Sequence, residues 1–288
     1  MLPTAPRSAR LPVRPRAGTA GPLPRFATAS AAAALLLGAA APAAAAPAPA
    51  PVHHYDLDHA GSTVVAHEGR GTGAPIDTLA TQTPGNDVSG WQGNVNWATA
   101  KANGARFAYV KATEGTTYTN PYFAQQYNGS YNAGLIRGAY HFALPDASSG
   151  AAQANWFVTH GGGWSADGRT LPPALDIEYN PYGATCYGLS QSAMASWIRS
   201  FSNTVHTATG RYPVIYTTTD WWTTCTGNNS SFGATNPLWI ARYASAVGTL
   251  PAGWSYQTIW QYADSGVLPG DQNRFNGAYD RVQALADG

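Results

Sequence analysis

Charged residues are scarce in this chain of 288 residues, because Asp, Glu, Lys and Arg together make up only 11% of it. Five arginines and no acidic residue precede residue 47, which leaves 11 basic and 15 acidic residues beyond that point, a formal charge of −4. A chain without a cationic surface cannot neutralise a phosphate backbone, which argues against nucleic acid as a partner. Any attraction to an anionic surface would depend on specific contacts.

Long apolar runs are also missing. The most apolar stretch, residues 31–46, is rich in Ala and Leu and is too short for a convincing membrane span. It follows a basic region without acids and ends in Ala-x-Ala sequences, a pattern typical of a cleaved secretory signal. We therefore expect residues 1–46 to be a signal peptide and the mature chain to be a secreted, extracellular protein with no membrane partner.

Cysteine is nearly absent, since Cys186 and Cys225 are the only two. In an oxidising compartment this pair favours one disulfide that closes a loop of about 40 residues and contributes on the order of 3–4 kcal/mol. No Cys-x-x-Cys or cluster of histidines accompanies the pair, so metal ligation is poorly supported. We expect neither a metal nor a cofactor.

Composition divides the exported chain into two parts. Residues 47–84 are rich in Pro, Ala, Gly and Thr without a helical or strand period, which is typical of a propeptide or a flexible lead-in. Residues 85–288, a stretch of 204 residues, suit one domain with a single core. Nothing in the sequence indicates oligomerisation, and we expect a monomer.

Short apolar stretches alternate with amphipathic ones in this domain, which predicts an α/β fold with parallel strands joined through βαβ units. Pro121 suits the first turn of a helix, and Ser190 suits an N-cap. We expect the alternation to degrade in the later part of the domain. The predicted strands are 86–89, 107–113, 136–142, 174–178, 214–217, 238–241 and 258–262, and the predicted helices are 96–103, 121–133, 149–160 and 190–207.

The most informative motif is Leu175-Asp176-Ile177-Glu178. Residues two apart on a strand project from the same face, so Asp176 and Glu178 should point the same way. Two carboxylates at the end of a buried strand are costly unless they are paired or used in chemistry. Paired carboxylates are the usual equipment for cleaving a glycosidic bond, although an isolated D-x-E is more often a helix cap beside a solvated glutamate.

The other predicted strand ends carry more acids and aromatic residues, which strengthens the functional interpretation because barrel enzymes place their sites at strand carboxyl ends. Together they describe an acidic groove with aromatic walls, suited to sugar rings. Lys111 is either an internal ion-pair partner of an acid or a substrate ligand, and His141 is more typical of a satisfied core histidine. The residues expected to contact substrate are Trp91, Gln92, Glu114, Tyr140, Tyr179, Tyr216, Trp260 and Gln261.

Seven motifs in order give the domain a close resemblance to a known family. They are Asp87-Val88-Ser89 with Trp91-Gln92-Gly93, Lys111-Ala112-Thr113-Glu114-Gly115, Arg137-Gly138-Ala139-Tyr140-His141-Phe142, Leu175-Asp176-Ile177-Glu178, Val214-Ile215-Tyr216-Thr217, Trp260-Gln261-Tyr262, and Asp271 with Asn273 and Phe275. This pattern resembles the lysozymes of glycoside hydrolase family 25, the Chalaropsis-type N-acetylmuramidases, and especially their secreted actinobacterial members.

The resemblance implies a flattened, irregular TIM-like barrel with mostly parallel strands. It also implies cleavage of the β-1,4 bond between N-acetylmuramic acid and N-acetylglucosamine in peptidoglycan glycan strands. By position, Glu178 matches the general acid and Asp176 the assisting carboxylate, while Asp87 and Asp271 match two further acids of the active site. Two departures stand out: Gly90 replaces a larger residue, which would widen the mouth, and a shortened segment before Asp271 could displace that acid.

The mechanism and two competing functions stay open at this point. Strand spacing is compatible with a retaining, an inverting or a substrate-assisted route through the 2-acetamido group. We expect a raised pKa for Glu178 and an ionised Asp176. A chitinase or endo-N-acetylglucosaminidase would share the chemistry, but chitinases carry a longer acidic run before the D-x-E. A catalytically dead glycan-binding module would not require all the acidic positions.

Overall fold

The computed structural model describes residues 53–71 and 81–288. The expected signal peptide, residues 47–52 and residues 72–80 lie outside this part of the chain. Residues 53–71, here called the lead segment, contain a short helix, α1 (Val64–Glu68), that the sequence had not predicted.

Eight strands close into a barrel, because the first strand pairs with both the second and the last. Seven of these strands are parallel to one another, and β9 runs antiparallel to both of its neighbours. A short ninth strand, β3, extends the sheet beside β2. In chain order the strands are β1 (Thr83–Val88), β2 (Phe107–Glu114), β3 (Tyr118–Thr119), β4 (Ile136–Phe142), β5 (Ala174–Asp176), β6 (Val214–Thr217), β7 (Leu238–Ala241), β8 (Ile259–Ala263) and β9 (Asp271–Phe275).

The four predicted helices are confirmed, and two further ones follow β6 and β9. Ser190 is the N-cap of α5, where its hydroxyl accepts a hydrogen bond from the Ala193 amide. Pro121 lies two residues before the first residue of α3 instead of in its first turn. None of the helices in the described ranges is long and apolar enough to cross a membrane. The helices are α2 (Trp97–Ala102), α3 (Phe123–Asn132), α4 (Gly150–Thr159), α5 (Gln191–Thr209), α6 (Thr219–Thr226) and α7 (Tyr279–Asp287).

Strand alternation divides the core into an inner and an outer layer. On β5, Leu175 packs outward against the helices, whereas Ala174 packs inside the barrel. The inner layer is unusually aromatic, with Tyr109, Tyr216 and Trp239 all fully buried. Alternation therefore directs Asp176 inward, and Glu178 follows it onto the same side.

The predicted disulfide is present between Cys186 and Cys225. It joins the loop after β5 to the buried side of α6. Since this loop begins directly after Glu178, the bridge restrains the chain that follows the carboxylate pair. In a loop-entropy model a bridge across this separation of 39 residues contributes about 3–4 kcal/mol.

Candidate active site

Asp176 and Glu178 both lie at the carboxyl-end rim of the barrel and are each 1% exposed. Asp176 stands in register with Phe142 of β4 and Tyr216 of β6, so its carboxyl group enters the barrel between two neighbouring strands. Among the described residues, neither of its carboxyl oxygens has a hydrogen-bond partner. Burial of an acid without a partner is costly and points to a chemical use.

Asp87 and Asp271 approach the same rim from β1 and β9, where they are directly opposite each other in the antiparallel register. Because β9 runs against the other strands, its first residue lies at the rim where β1 ends. The tight turn before it needs Gly270, whose φ is +72° and whose added Cβ would lie 1.9 Å from the Asp87 carbonyl oxygen. The short segment before Asp271 thus brings this acid to the rim and does not displace it.

An amide network joins these two aspartates. The Gln261 Nε2 donates to the Oδ2 atoms of Asp87 and Asp271, at 3.0 and 3.1 Å. The Asn273 Nδ2 donates to the same oxygen of Asp87 at 2.6 Å. Tyr216 and Tyr243 in turn donate their hydroxyls to the Gln261 Oε1, at 2.7 and 2.9 Å. Sequence reasoning selected Gln261 and Tyr216 but did not assign a site role to Asn273, which belongs to the last motif, or to Tyr243, which follows the predicted strand 238–241.

Burial dominates the electrostatics of the four acids. It raises the pKa of Glu178 to about 8 and the pKa of Asp87 to about 7. Burial also raises the pKa of Asp176 well above its usual value, and the nearby Glu178 carboxylate adds to this increase. The pKa of Glu178 is thus shifted in the direction that the sequence analysis expects. For Asp176 the raised pKa favours the neutral form in this covered state, which differs from the ionised form expected from the sequence.

These pKa values predict how stability depends on pH. An acid whose pKa is higher in the folded protein than in the unfolded chain stabilises the fold. The stabilisation is complete below the pKa of the unfolded chain, about 4 here, and it is lost as the pH rises through the pKa of the folded protein. We therefore expect the thermal unfolding midpoint of the full chain to fall between pH 5 and pH 8. Calorimetry would show a smaller decrease in Glu178→Gln and Asp87→Asn, and a midpoint that increased with pH would contradict this assignment.

Lys111 and Glu114 form a fully buried ion pair, with the Lys111 Nζ 2.5 Å from the Glu114 Oε2. Of the two roles open for Lys111, the structure supports that of an internal ion-pair partner.

His141 is a core residue with both ring nitrogens in hydrogen bonds, because its Nδ1 lies 2.8 Å from the Thr113 hydroxyl and its Nε2 lies 2.9 Å from the Gln153 Oε1. Burial lowers the pKa of His141 to about 3, which keeps the ring neutral.

The aromatic residues predicted to line a groove occupy different environments. Trp91 is 62% exposed on a turn beside the rim, where it is free to contact a ligand. Trp260 packs instead against Leu238 and Ile240 on the outer side of the sheet, so it does not join the site, because neighbours on a strand face opposite ways. Tyr140 and Tyr216 are fully buried inside the barrel.

Gln92 and Tyr179 are held by local contacts. Gln92 has a capping role, since its Oε1 accepts from the Ser89 backbone amide at 2.8 Å. The Tyr179 hydroxyl lies 2.7 Å from the Glu68 Oε1 and 3.0 Å from the Asp220 Oδ2, so it joins the lead segment to α6.

The lead segment lies over Glu178 and over Gln261, which binds Asp87 and Asp271, and the sequence analysis did not predict this arrangement. The Gly61 amide donates to the Glu178 Oε1 at 2.7 Å, and the Thr63 hydroxyl donates to the Glu178 Oε2. Gly90, expected to widen the mouth, instead makes room for Tyr118 and Asp56, whose atoms would lie 2.8 and 3.3 Å from an added Cβ.

Comparison with known proteins agrees with this geometry. The family model for glycosyl hydrolases family 25 matches residues 86–271, which include the second half of β1 and all four acids. The chain belongs to this family. The prediction of a family 25 glycoside hydrolase with a mostly parallel barrel is thereby confirmed.

Relatives of this family 25 chain match more than 70% of its length. It is 53% identical to an N,O-diacetylmuramidase from Chalaropsis sp. over 71% of this chain and 99% of the relative, and 50% identical to lysozyme M1 from Streptomyces globisporus over 74% of each. Among solved structures, it resembles a muramidase from Acremonium alcalophilum with a TM-score of 0.71 and 63% identity. That match covers 72% of this chain and 99% of the other.

Proposed function

We propose that the protein is a secreted muramidase that hydrolyses the β-1,4 bond between N-acetylmuramic acid and N-acetylglucosamine in peptidoglycan. In this proposal Glu178 is the general acid and Asp176 is the carboxylate that assists at the anomeric centre. The observation that carries it is the convergence of Asp87, Asp176, Glu178 and Asp271 on one rim of a family 25 barrel. The names of the relatives, muramidases and lysozymes, support the same substrate.

The chemistry follows from the different surroundings of the two carboxyl groups. Under the lead segment Glu178 has a pKa of about 8 and holds its proton at neutral pH. A bound glycan that excludes water in turn would keep this pKa raised, so that Glu178 can give its proton to the leaving glycosidic oxygen. Asp176 would ionise once water and substrate replace the covering segment, and it would then stabilise the developing positive charge or orient the 2-acetamido group. Asp87 and Asp271, bound through Gln261, would hold the sugar hydroxyls.

Mass spectrometry of the fragments released from purified peptidoglycan tests this function. The substrates should include strands with O-acetylated muramic acid, because one relative is an N,O-diacetylmuramidase. The protein should be assayed both intact and after limited proteolysis before residue 81, because the lead segment covers the site. We expect fragments with muramic acid at the new reducing end. N-acetylglucosamine at that end, or release from chitin alone, would instead indicate a glucosaminidase or chitinase.

A further inference from the structure

The middle of the lead segment fills the mouth of the barrel. Ala60 is fully buried and Val64 is 1% exposed, and both pack with the aromatic residues of the inner layer. The Ala60 amide donates to the Tyr140 hydroxyl at 3.3 Å, and its carbonyl accepts from the Gln261 Nε2 at 2.9 Å. Main-chain atoms thus bind the side chains that a sugar would have to reach.

Both oxygens of Glu178 are engaged by this segment, one by the Gly61 amide and the other by the Thr63 hydroxyl. A general acid must come within hydrogen-bond reach of the oxygen that it protonates. Glu178 cannot contact a glycosidic oxygen while these two donors are in place. The segment therefore blocks the reacting group itself as well as the path to it.

Gly61 is the point where the fit is tightest. Its φ is +91°, and an added Cβ would lie 2.1 Å from the Tyr243 hydroxyl, 2.6 Å from the Gln261 Oε1 and 2.9 Å from the Tyr216 hydroxyl. Only glycine tolerates both this backbone conformation and this proximity. Residue 61 is thus adapted to the amide network of the site.

The lead segment also covers Tyr179, the aromatic residue next to Glu178. The His67 ring stacks on Tyr179 with a centroid distance of 4.0 Å and an interplanar angle of 4°. The face of Tyr179 on which a sugar ring would stack is therefore occupied by a flat ring of the chain itself.

The other side of the mouth is covered by residues 55–58. The Lys111 Nζ donates to the backbone carbonyls of Tyr55 and Asp58, at 3.1 and 2.6 Å. The Tyr55 ring stacks on Tyr118 with centroids 5.2 Å apart. The Lys111 ammonium group has three N–H donors, and its ion pair with Glu114 uses one of them. The other two bind the lead segment.

We infer that the lead segment is an autoinhibitory pro-segment, which occupies the substrate groove in cis and releases it when the chain is cut between residues 71 and 81. This inference rests on the proposed function of the Glu178 site. An attached segment has an effective concentration on the order of millimolar, so weak contacts suffice to keep it bound. Once cut and diluted to micromolar concentration it leaves, and the buried carboxylates regain their hydration.

The test uses the full chain with a specific protease sequence inserted between residues 71 and 81. We expect the intact protein to clear bacterial walls at least tenfold more slowly than the same protein after cleavage and dilution. A synthetic peptide of residues 53–71 should restore inhibition of the cleaved protein. The same peptide with Gly61→Ala should not.

A matched pair of variants in the uncut chain tests the contact between Gly61 and the amide network. Gly61→Ala should raise activity at least tenfold because its Cβ meets the site, whereas Gly69→Ala should leave the chain inhibited. Gly69 also has a positive φ, of +70°, but an added Cβ there meets nothing within 4 Å. Thermal unfolding of both variants checks that the barrel stays folded.

The outcomes separate this inference from the proposed function. Equal activity of the intact and cleaved proteins would overturn autoinhibition and leave the muramidase function in place. A cleaved protein that binds the labelled peptide but hydrolyses no glycan would overturn the function, and with it the inference.

Discussion

The Glu178→Gln variant of the cleaved protein is expected to hydrolyse peptidoglycan about 10²–10⁴-fold more slowly, because this is the usual contribution of a general acid. The amide has nearly the same shape as the carboxyl group but cannot donate a proton to the leaving oxygen. The glutamine oxygen can still accept from the Gly61 amide, and its NH2 group can donate to the Thr63 hydroxyl oxygen once that hydroxyl rotates, so folding should be preserved. Initial rates of reducing-end release from peptidoglycan provide the measurement.

Asp280→Asn serves as the control for this experiment. Asp280 is an exposed carboxylate in the first turn of α7, at the surface of the barrel. This variant makes the same carboxyl-to-amide change away from the site and should leave the rate unchanged. A Glu178→Gln protein with the full rate would remove Glu178 from the mechanism. A loss of rate with a lowered unfolding midpoint would indicate a structural effect instead.

The second large effect is expected for Asp176→Asn, which should lower the rate of hydrolysis roughly a hundredfold or more and yet stabilise the protein. The rate falls because an amide cannot stabilise the developing positive charge. Stability at pH 7 rises because the folded chain no longer has to protonate a buried acid that is ionised when unfolded. A gain of about 1–2 kcal/mol corresponds to an increase of roughly 3–6 °C in the unfolding midpoint.

The pH dependence makes this second prediction specific. Near pH 4 the unfolded chain also holds much of its Asp176 protonated, so the stabilisation should almost vanish. Calorimetry of the uncut chain at pH 4 and pH 7 measures both values, and the rate is measured on the cleaved protein. A variant that is destabilised at pH 7, or one that keeps the full rate, would refute the role assigned to this buried carboxyl group.

Strand alternation and strand-end position let the sequence predict the core of the site. The motif at residues 175–178 directed Asp176 and Glu178 to one face, and the barrel brings them there because β5 is a short interior strand. The same reasoning failed for Trp260. Its neighbour Gln261 enters the barrel, so the tryptophan has to face the outer layer, where Leu238 and Ile240 cover it.

The remaining features could not be predicted because they depend on pairs far apart in the chain. Asp271 lies opposite Asp87 only because β9 returns antiparallel, and no local pattern shows that reversal. The lead segment has the composition of an unstructured region, and its order comes from the buried donors and acceptors that the barrel offers it. Local propensity carries no information about such contacts.

The pairing of β1 with β9, which closes the barrel, has a consequence for how the protein folds during synthesis. Gly85 pairs with Asn273, so the first and last strands of the domain meet only after nearly the whole polypeptide has emerged. Contacts of such high sequence separation slow folding. During synthesis the early strands therefore stay without their final neighbour, and Asp87 acquires the Asn273 amide only when that last strand docks. A chain that stops short of residue 275 would leave the first strand as an open edge, exposed to aggregation and proteolysis.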